Sequence, residues 1–291
     1  MKGITGQTKL LGVFGHPVVH SLSPAMHNAA LEELGLNCVY LPFDVDPAHL
    51  EQAVHAIRAL GAIGVNVTIP HKEKVIPFLD EVSPQARLIG SVNTISNKDG
   101  RLLGESTDGE GFLQALKAVG TNVKGKRAVV IGAGGSSRAV TYALVSHGAS
   151  VTVANRTLER GEELARSINE ITSSDDAHAV SLAPEELKEA IEGADILVNS
   201  ASMGMWPDVD FTPCPEELLH PGLLVYDLVY NPLHTKLLQA AERVGAATIS
   251  GIKMLVYQGA ISFKIWTGRD PSVDVMESAA LAELTARQAP S

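Results

Sequence analysis

The chain has 291 residues, enough for one large domain or two ordinary ones, each with a core of its own. Hydrophobic residues make up 45% and charged residues 19%, the balance of a soluble globular protein. A net charge of −10 argues against nucleic acid or an anionic membrane as the main partner, so any anionic ligand must be held by a local arrangement. The two cysteines, Cys38 and Cys214, form no metal-type cluster and point to reduced thiols. The apolar run Leu10 to Phe14 is too short for a secretory segment, and a cytoplasmic protein is expected.

In the first hundred residues, strands are expected near "LLGVFG", "VYLPFDV", "GVNVTIP" and "SVNTISN", with helices at "PAMHNAALEEL" and "AHLEQAVHAIRAL" between them. This alternation predicts parallel sheets of the α/β class. Ser23 followed by Pro24 reads as a helix N-cap and first helical residue, with Gly35 as the stop. That explains Ser23 as a cap and leaves Ser21 without a structural role. Two hydroxyls beside helix N–H groups would suit a substrate carboxylate. His20 and His27 lie seven apart with no acid at ligand spacing, so no metal is expected.

Val65, Val67 and Ile69 alternate with Asn66 and Thr68, the pattern of a strand with an apolar and a polar face. Pro70 ends it, and a short helix is expected to follow. Lys72 and Lys74 would then lie in its first turn, where the dipole disfavours a cation and eases loss of a proton. Asn93, in "SVNTI", carries an amide that can both donate to and accept from a hydroxylated ligand. Asp108, in "STDGEGF", marks a helix start, a place that suits capping and catalysis equally. The boundary between halves falls near Leu103 to Thr107, giving domains 1–105 and 106–251.

The second half is more regular. "RAVVIGAGG", "SVTVANR", "HAVSL", "DILVNSA", "LLVYDLVY" and "ATISG" read as six strands with crossover helices between most of them, the count of a doubly wound dinucleotide-binding sheet. "GTNVKGKR" has the glycine and lysine spacing of a P-loop, but it precedes its strand and lacks the magnesium-holding hydroxyl. "VVIGAGGSSRA" is the stronger signal: Gly132 allows a tight turn, Gly134 a close pyrophosphate, and the helix start binds the anion. Ser137 stands where the pattern has its third glycine. The next strand ends in Asn155, Arg156 and Thr157, then Arg160, without the acid that reads a ribose hydroxyl. Guanidinium groups there favour NADP over NAD. Tyr230 follows the fifth strand at the ligand-binding edge, and Gln258 lies on a helical stretch. Residues 252–291 are helical and are expected to pack back on the first domain and help frame the interdomain cleft.

Taken in order, "HSLSPAMHN", "GVNVTIPHKEKV", "GSVNTI", "TDGEGF", "GAGGSSRA", "NRT", "VYNPLHTKLL" and "GIKMLVYQGA" resemble the shikimate dehydrogenase family from about Gly12 to Ala260. The resemblance implies an N-terminal α/β substrate domain, a Rossmann-type NADP-binding domain and C-terminal helices that return to the first. It implies NADP-dependent interconversion of 3-dehydroshikimate and shikimate in aromatic amino-acid biosynthesis. A monomer or homodimer is expected. Carried over by motif, Ser21, Ser23, Thr68, Lys72, Asn93, Asp108, Tyr230 and Gln258 would contact substrate. Gly132, Ala133, Gly134, Gly135, Ser136, Asn155, Arg156, Thr157, Arg160, Leu228 and Gly251 would contact cofactor. Lys72 would be the catalytic lysine, sharing proton transfer with Asp108. Ser106 and Ser136 depart from the family's usual Asn and Ala, and Ser106 is expected to alter a contact near the acid. A quinate/shikimate enzyme using either cofactor, a non-catalytic NADP sensor and a folate-linked dehydrogenase are the competing readings; the last leaves "SLSP" and "TIPHK" unexplained.

Overall fold

Leu11 to Gly15 are buried along β1 (Lys9–Gly15), as a strand flanked on both sides requires. The computed structural model describes residues 3–288. Two compact units emerge: one takes the chain up to Gly111 and again from Leu255, the other is Phe112–Met254. Thr107 and Asp108 therefore fall in the first unit, beyond the expected boundary at 105.

In the first unit β1 is followed by α1 (Ser23–Glu33), β2 (Cys38–Asp44), α2 (Leu50–Ala59), β3 (Gly64–Val67), β4 (Glu81–Val82), α3 (Pro84–Ile89), β5 (Thr94–Lys98) and β6 (Arg101–Glu105). The sheet order is β2-β1-β3-β5-β6-β4. The sheet is mixed, unlike the parallel sheet expected: β5 runs antiparallel to both β3 and β6. The cause is a two-residue turn at Asp99-Gly100, both at positive φ, which folds β5 directly onto β6. Leu50, Val54 and Ile57 recur along one face of α2 and are buried with Val65, Val67 and Ile95 in one core cluster.

The chain leaves this sheet through α4 (Asp108–Ala118) and enters β7 (Arg127–Ile131), α5 (Gly135–Ser146), β8 (Ser150–Asn155), α6 (Leu158–Thr172), β9 (Ala177–Ser181), α7 (Pro184–Glu192), β10 (Ile196–Asn199), β11 (Leu224–Asp227), α8 (Lys236–Arg243) and β12 (Ala247–Ser250). All six strands are parallel in the order β12-β11-β10-β7-β8-β9. The chain works outward from β7 to β9, then returns to β10 on the other side of β7. The switch point between β7 and β10 is where such sheets open a crevice for a ligand. Between β10 and β11 no α-helix intervenes, only a 3-10 turn at Glu216–Leu218.

Two helices end the described chain, α9 (Ile252–Thr267) and α10 (Val273–Gln288). Their residues from Leu255 onward join the first unit, where α10 packs on α1. Trp266 Nε1 donates to Ile95 O at 3.0 Å, and the Phe263 side chain is fully buried. Burying one such ring contributes roughly 1.5–3 kcal/mol.

Candidate active site

The loops that follow β1, β3 and β6 leave the same edge of the first sheet, because those three strands run the same way. Antiparallel β5 brings its amino end, preceded by Asn93, to that edge as well. The sheet thus gathers the segments of Ser21, Thr68 to Lys72, Asn93 and Asp108 from distant parts of the sequence.

No helix follows Pro70. Residues 69–75 form turns and Ile76–Phe78 a single 3-10 turn, so Lys72 does not sit at a helix N-terminus. The strand also stops earlier than its alternation suggests, at Val67, because the chain turns where Thr68 O accepts the His71 N–H (2.9 Å). Lys72 is fixed instead by its carbonyl, which accepts the Val92 N–H at 2.9 Å. Its Nζ lies 2.5 Å from Asp108 Oδ2, with the two side chains 13% and 4% exposed. Asp108 opens α4, where the dipole favours a negative charge.

Asn93 holds the second carboxylate oxygen: Nδ2 donates to Asp108 Oδ1 (2.9 Å) and to Gln258 Oε1 (3.0 Å). Its own Oδ1 accepts the Thr107 N–H at 2.8 Å, which fixes the amide's orientation. Gln258, on α9, turns its amide nitrogen to Leu255 O (2.8 Å). Beneath them lies a cluster of hydroxyls that sequence reasoning missed. Ser262 Oγ is 2.7 Å from Thr94 Oγ1 and 3.3 Å from Thr107 Oγ1, and Asn66 Nδ2 donates to Ser262 Oγ at 3.1 Å. Tyr40 donates to Asn66 Oδ1 (2.8 Å), with Ser23 beside its phenol. One buried chain of hydrogen bonds therefore runs from Tyr40 to Asp108. Asn66, on the polar face of its strand, was the one signal of it.

The two serines exchange the roles expected of them. Leu22 is the N-cap of α1 and Ser23 its first residue, while Ser21 Oγ accepts the Ser23 N–H at 3.2 Å. Ser21, one residue before the N-cap, thus supplies the hydroxyl that takes a helix N–H, and Ser23 is buried. Arg287 of α10 donates to Ser21 O at 3.2 Å and to Val19 O at 3.3 Å, which steadies this loop. The Ser106 hydroxyl is buried without a hydrogen-bond partner, so it makes no bond to the acid. Next to Ser23, His27 is fully buried, stacked on Tyr40 at 4.3 Å between ring centroids, and burial pulls its imidazole down to about 3. Among the described residues no cluster of His, Cys, Asp and Glu is arranged to hold a metal.

In the second unit Gly132, Ala133 and Gly134 turn the chain from β7 into α5. Gly132 has φ +114°, and a Cβ there would meet Ser200 Oγ at 3.0 Å. A side chain at Gly134 would point into open space, the clearance a close phosphate needs. Ser137, in place of the third glycine, accepts the Gly134 N–H (3.1 Å) and lies 2.7 Å from Ser200 Oγ, which itself donates to Ile131 O (2.7 Å). These hydroxyls lock the turn from behind. Gly135 and Ser136 begin the helix, which has no acid in its first turn. Asn155 ends β8 with its amide on Thr157 O (2.7 Å), and Arg156, Thr157 and Arg160 are exposed at the start of α6. Leu228 and Tyr230 follow β11. Gly251 follows β12 with the Leu228 carbonyl against its Cα, leaving no room for a side chain. This unit fits NADP: an open glycine turn at a helix start, and two guanidinium groups where an acid would repel a phosphate. Tyr230 lies in this unit.

Comparison with known proteins gives three family models in chain order: the shikimate dehydrogenase substrate binding domain over residues 13–95, shikimate/quinate 5-dehydrogenase over 114–205, and the shikimate 5'-dehydrogenase C-terminal domain over 251–281. A shikimate dehydrogenase (NADP(+)) of Moorella thermoacetica is 50% identical over 94% of this chain and 93% of its own. A crystal structure of a shikimate dehydrogenase in complex with NADP+ is 43% identical, covers 97% of this chain and 98% of its own, and superposes with a TM-score of 0.92. The enzyme from Thermus thermophilus, in complex with NADP(H) and shikimate, is 42% identical over 94% and 99%, with a TM-score of 0.86.

Proposed function

From a chain that belongs to the shikimate dehydrogenase family and catalyses NADP-dependent interconversion of 3-dehydroshikimate and shikimate in aromatic amino-acid biosynthesis, we infer that Lys72 and Asp108 handle the proton. The observation that carries this is their buried ion pair, braced by Asn93 on the other carboxylate oxygen. NADP, when bound, accepts or supplies the hydride. As the alcohol is oxidised, its hydroxyl proton passes to the Lys72–Asp108 pair; in the reverse direction the pair returns it. The pair thus serves as one acid–base site for the reacting hydroxyl.

The remaining roles are proposed on the same footing. Ser21 and Ser23 take the substrate carboxylate, and Thr68, Asn93, Gln258 and Tyr230 its hydroxyls. The glycine turn and the start of α5 take the pyrophosphate. Asn155, Arg156, Thr157 and Arg160 take the 2′-phosphate and adenine side, with Leu228 and Gly251 completing the cofactor surface.

The test is an absorbance assay for NADPH formation from shikimate by the wild type and Lys72→Ala, with quinate and NAD as controls. Turnover by the wild type that survives in the variant would refute the assignment. We further infer a cytoplasmic enzyme, monomer or homodimer, with no nucleic-acid partner. Its net charge of −10 and the two cysteines outside any disulfide support this, and sedimentation analysis separates monomer from dimer. Among the described residues no helix is long and apolar enough to cross a membrane.

A further inference from the structure

Asp227 closes β11 and is fully buried, yet no step above uses it. Three donors converge on its carboxylate: the Thr235 hydroxyl at 2.6 Å, Asn199 Nδ2 at 2.8 Å and the Val229 N–H at 3.0 Å. Each donor controls a different stretch at the carboxyl edge of the second sheet. Asn199 ends β10 and shapes the loop beyond it, accepting the Ala201 N–H (3.1 Å) and donating to Met203 O (3.3 Å). Val229 lies between Leu228 and Tyr230. Thr235 is the N-cap of α8, its oxygen taking the Leu238 N–H at 3.3 Å. The two loops also touch directly, through the Trp206 N–H and Asn231 O at 2.9 Å. Ser200, next to Asn199, carries the connection on to the glycine turn through Ser137.

A buried carboxylate with no counter-charge is a costly way to hold a fold, and an apolar residue of the same size would often serve stability better. Its advantage is that one group can accept from three loops at once. We propose that Asp227 is a positioning residue whose carboxylate ties the loop after β10 to the loop after β11, and so holds the surface on which NADP lies. This rests on the assignment of Leu228 and the glycine turn to the cofactor.

Burial pushes the Asp227 carboxyl up to about 6, against the three donors that pull it down. Among the described residues no charged side chain bonds to it: His234 and Lys236, on either side of Thr235, are directed to Glu242 (3.8 Å) and Asp210 (2.9 Å), while β10 and β12 carry no ionisable residue. Above that value the carboxylate accepts from all three donors. Below it the added proton turns one acceptor oxygen into a donor, and the tie loosens.

The test uses full-length Asp227→Asn, which keeps the shape and removes the charge. Hydrogen exchange by mass spectrometry reads segments 200–206 and 228–232, and protein-fluorescence quenching gives the NADP dissociation constant from about pH 5 to pH 8. Expected are faster exchange in both segments and binding about tenfold weaker at about pH 7.5, the loss of a hydrogen bond to a charged group. The ratio of the variant's constant to the wild type's should then shrink towards one as pH falls through about 6. The ligand's own phosphate titrates against both proteins alike, so the ratio isolates Asp227. Unchanged exchange in either segment, or weakened binding whose ratio does not vary with pH, overturns the proposal while leaving the cofactor assignment intact. Faster exchange with unchanged NADP affinity overturns both, since the tied loops would then not be the cofactor's. If Asp227→Asn does not fold, Thr235→Val, which withdraws a single donor, carries the same exchange and binding measurements with smaller expected losses.

Discussion

Lys72 donates to Asp108 at 2.5 Å across 36 positions of sequence, and Asn93 holds the carboxylate's other oxygen at 2.9 Å. The pair is assembled by the sheet edge and by the start of α4, with no helix behind the lysine. Lys72→Ala should therefore lower kcat by about 10²–10⁴-fold, the usual worth of a positioned acid–base group, with a much smaller change in the KM for shikimate. Steady-state rates in both directions decide it, and a near-normal kcat would remove Lys72 from the mechanism.

Arg156 is exposed directly after β8. Arg156→Ala should weaken NADP by about tenfold or more and leave NAD nearly unchanged, because a guanidinium–phosphate pair exists only with the former. Titration with both cofactors separates the outcomes. Equal losses would mean that this arginine does not read the phosphate.

Ser262 is fully buried against Asn66, Thr94 and Thr107. Ser262→Ala deprives Asn66 and Thr94 of a buried partner, at a cost of about 1–3 kcal/mol in chemical denaturation. It should also lower kcat/KM by roughly tenfold, since Thr94 and Thr107 both help to orient the Asn93 amide. Stability lost with catalysis intact would confine the hydroxyl cluster to a structural role.

Gly251 leaves no space for a methyl group against Leu228 and Val229. Gly251→Ala should push that backbone outward, costing about 1–3 kcal/mol and weakening NADP while shikimate binding persists. Calorimetric titration with each ligand checks the split.

His27 gives a prediction in pH. Burial lowers its value from 6.5 to about 3, so the unfolded chain binds a proton that the folded chain refuses. The folded state is favoured fully above 6.5 and loses up to about 1.4 kcal/mol per pH unit as the pH falls towards 3. His71, also lowered by burial, acts in the same sense. His27→Phe should flatten the acid limb of stability over that window. An unaltered limb in denaturant titrations would show that the imidazole is not its source.

The six parallel strands of the second unit were legible because each is a short apolar run ended by turn residues, and the glycine turn marks where they begin. The hairpin at Asp99-Gly100 carried an equally plain signal and was overlooked, since a parallel sheet was expected throughout. Alternation through Ile69 overstated β3, and the proline after it suggested a helix that the turn at 68–71 pre-empts. Ser21 and Ser23 were found as a pair but exchanged, because a capping hydroxyl one residue before the N-cap cannot be told from the sequence pattern alone. Ser262 and Thr94 left no trace, as their roles depend on contacts across more than 150 residues. Asp227 was in plain view beside Tyr230, but a buried carboxylate in a strand looks no different in sequence from an exposed one.

Gln258 and Ser262, from a helix near the end of the chain, complete a group whose other members lie before residue 110. During synthesis the early strands must wait for them. At roughly 5–20 residues per second, the ribosome needs on the order of ten to thirty seconds between Asp108 and Ser262. For that interval Asn66, Asn93 and Thr94 have nothing from α9 to bond, and the second unit, whose strands are contiguous, can be finished first. The half of the enzyme that begins the chain is the half that matures last.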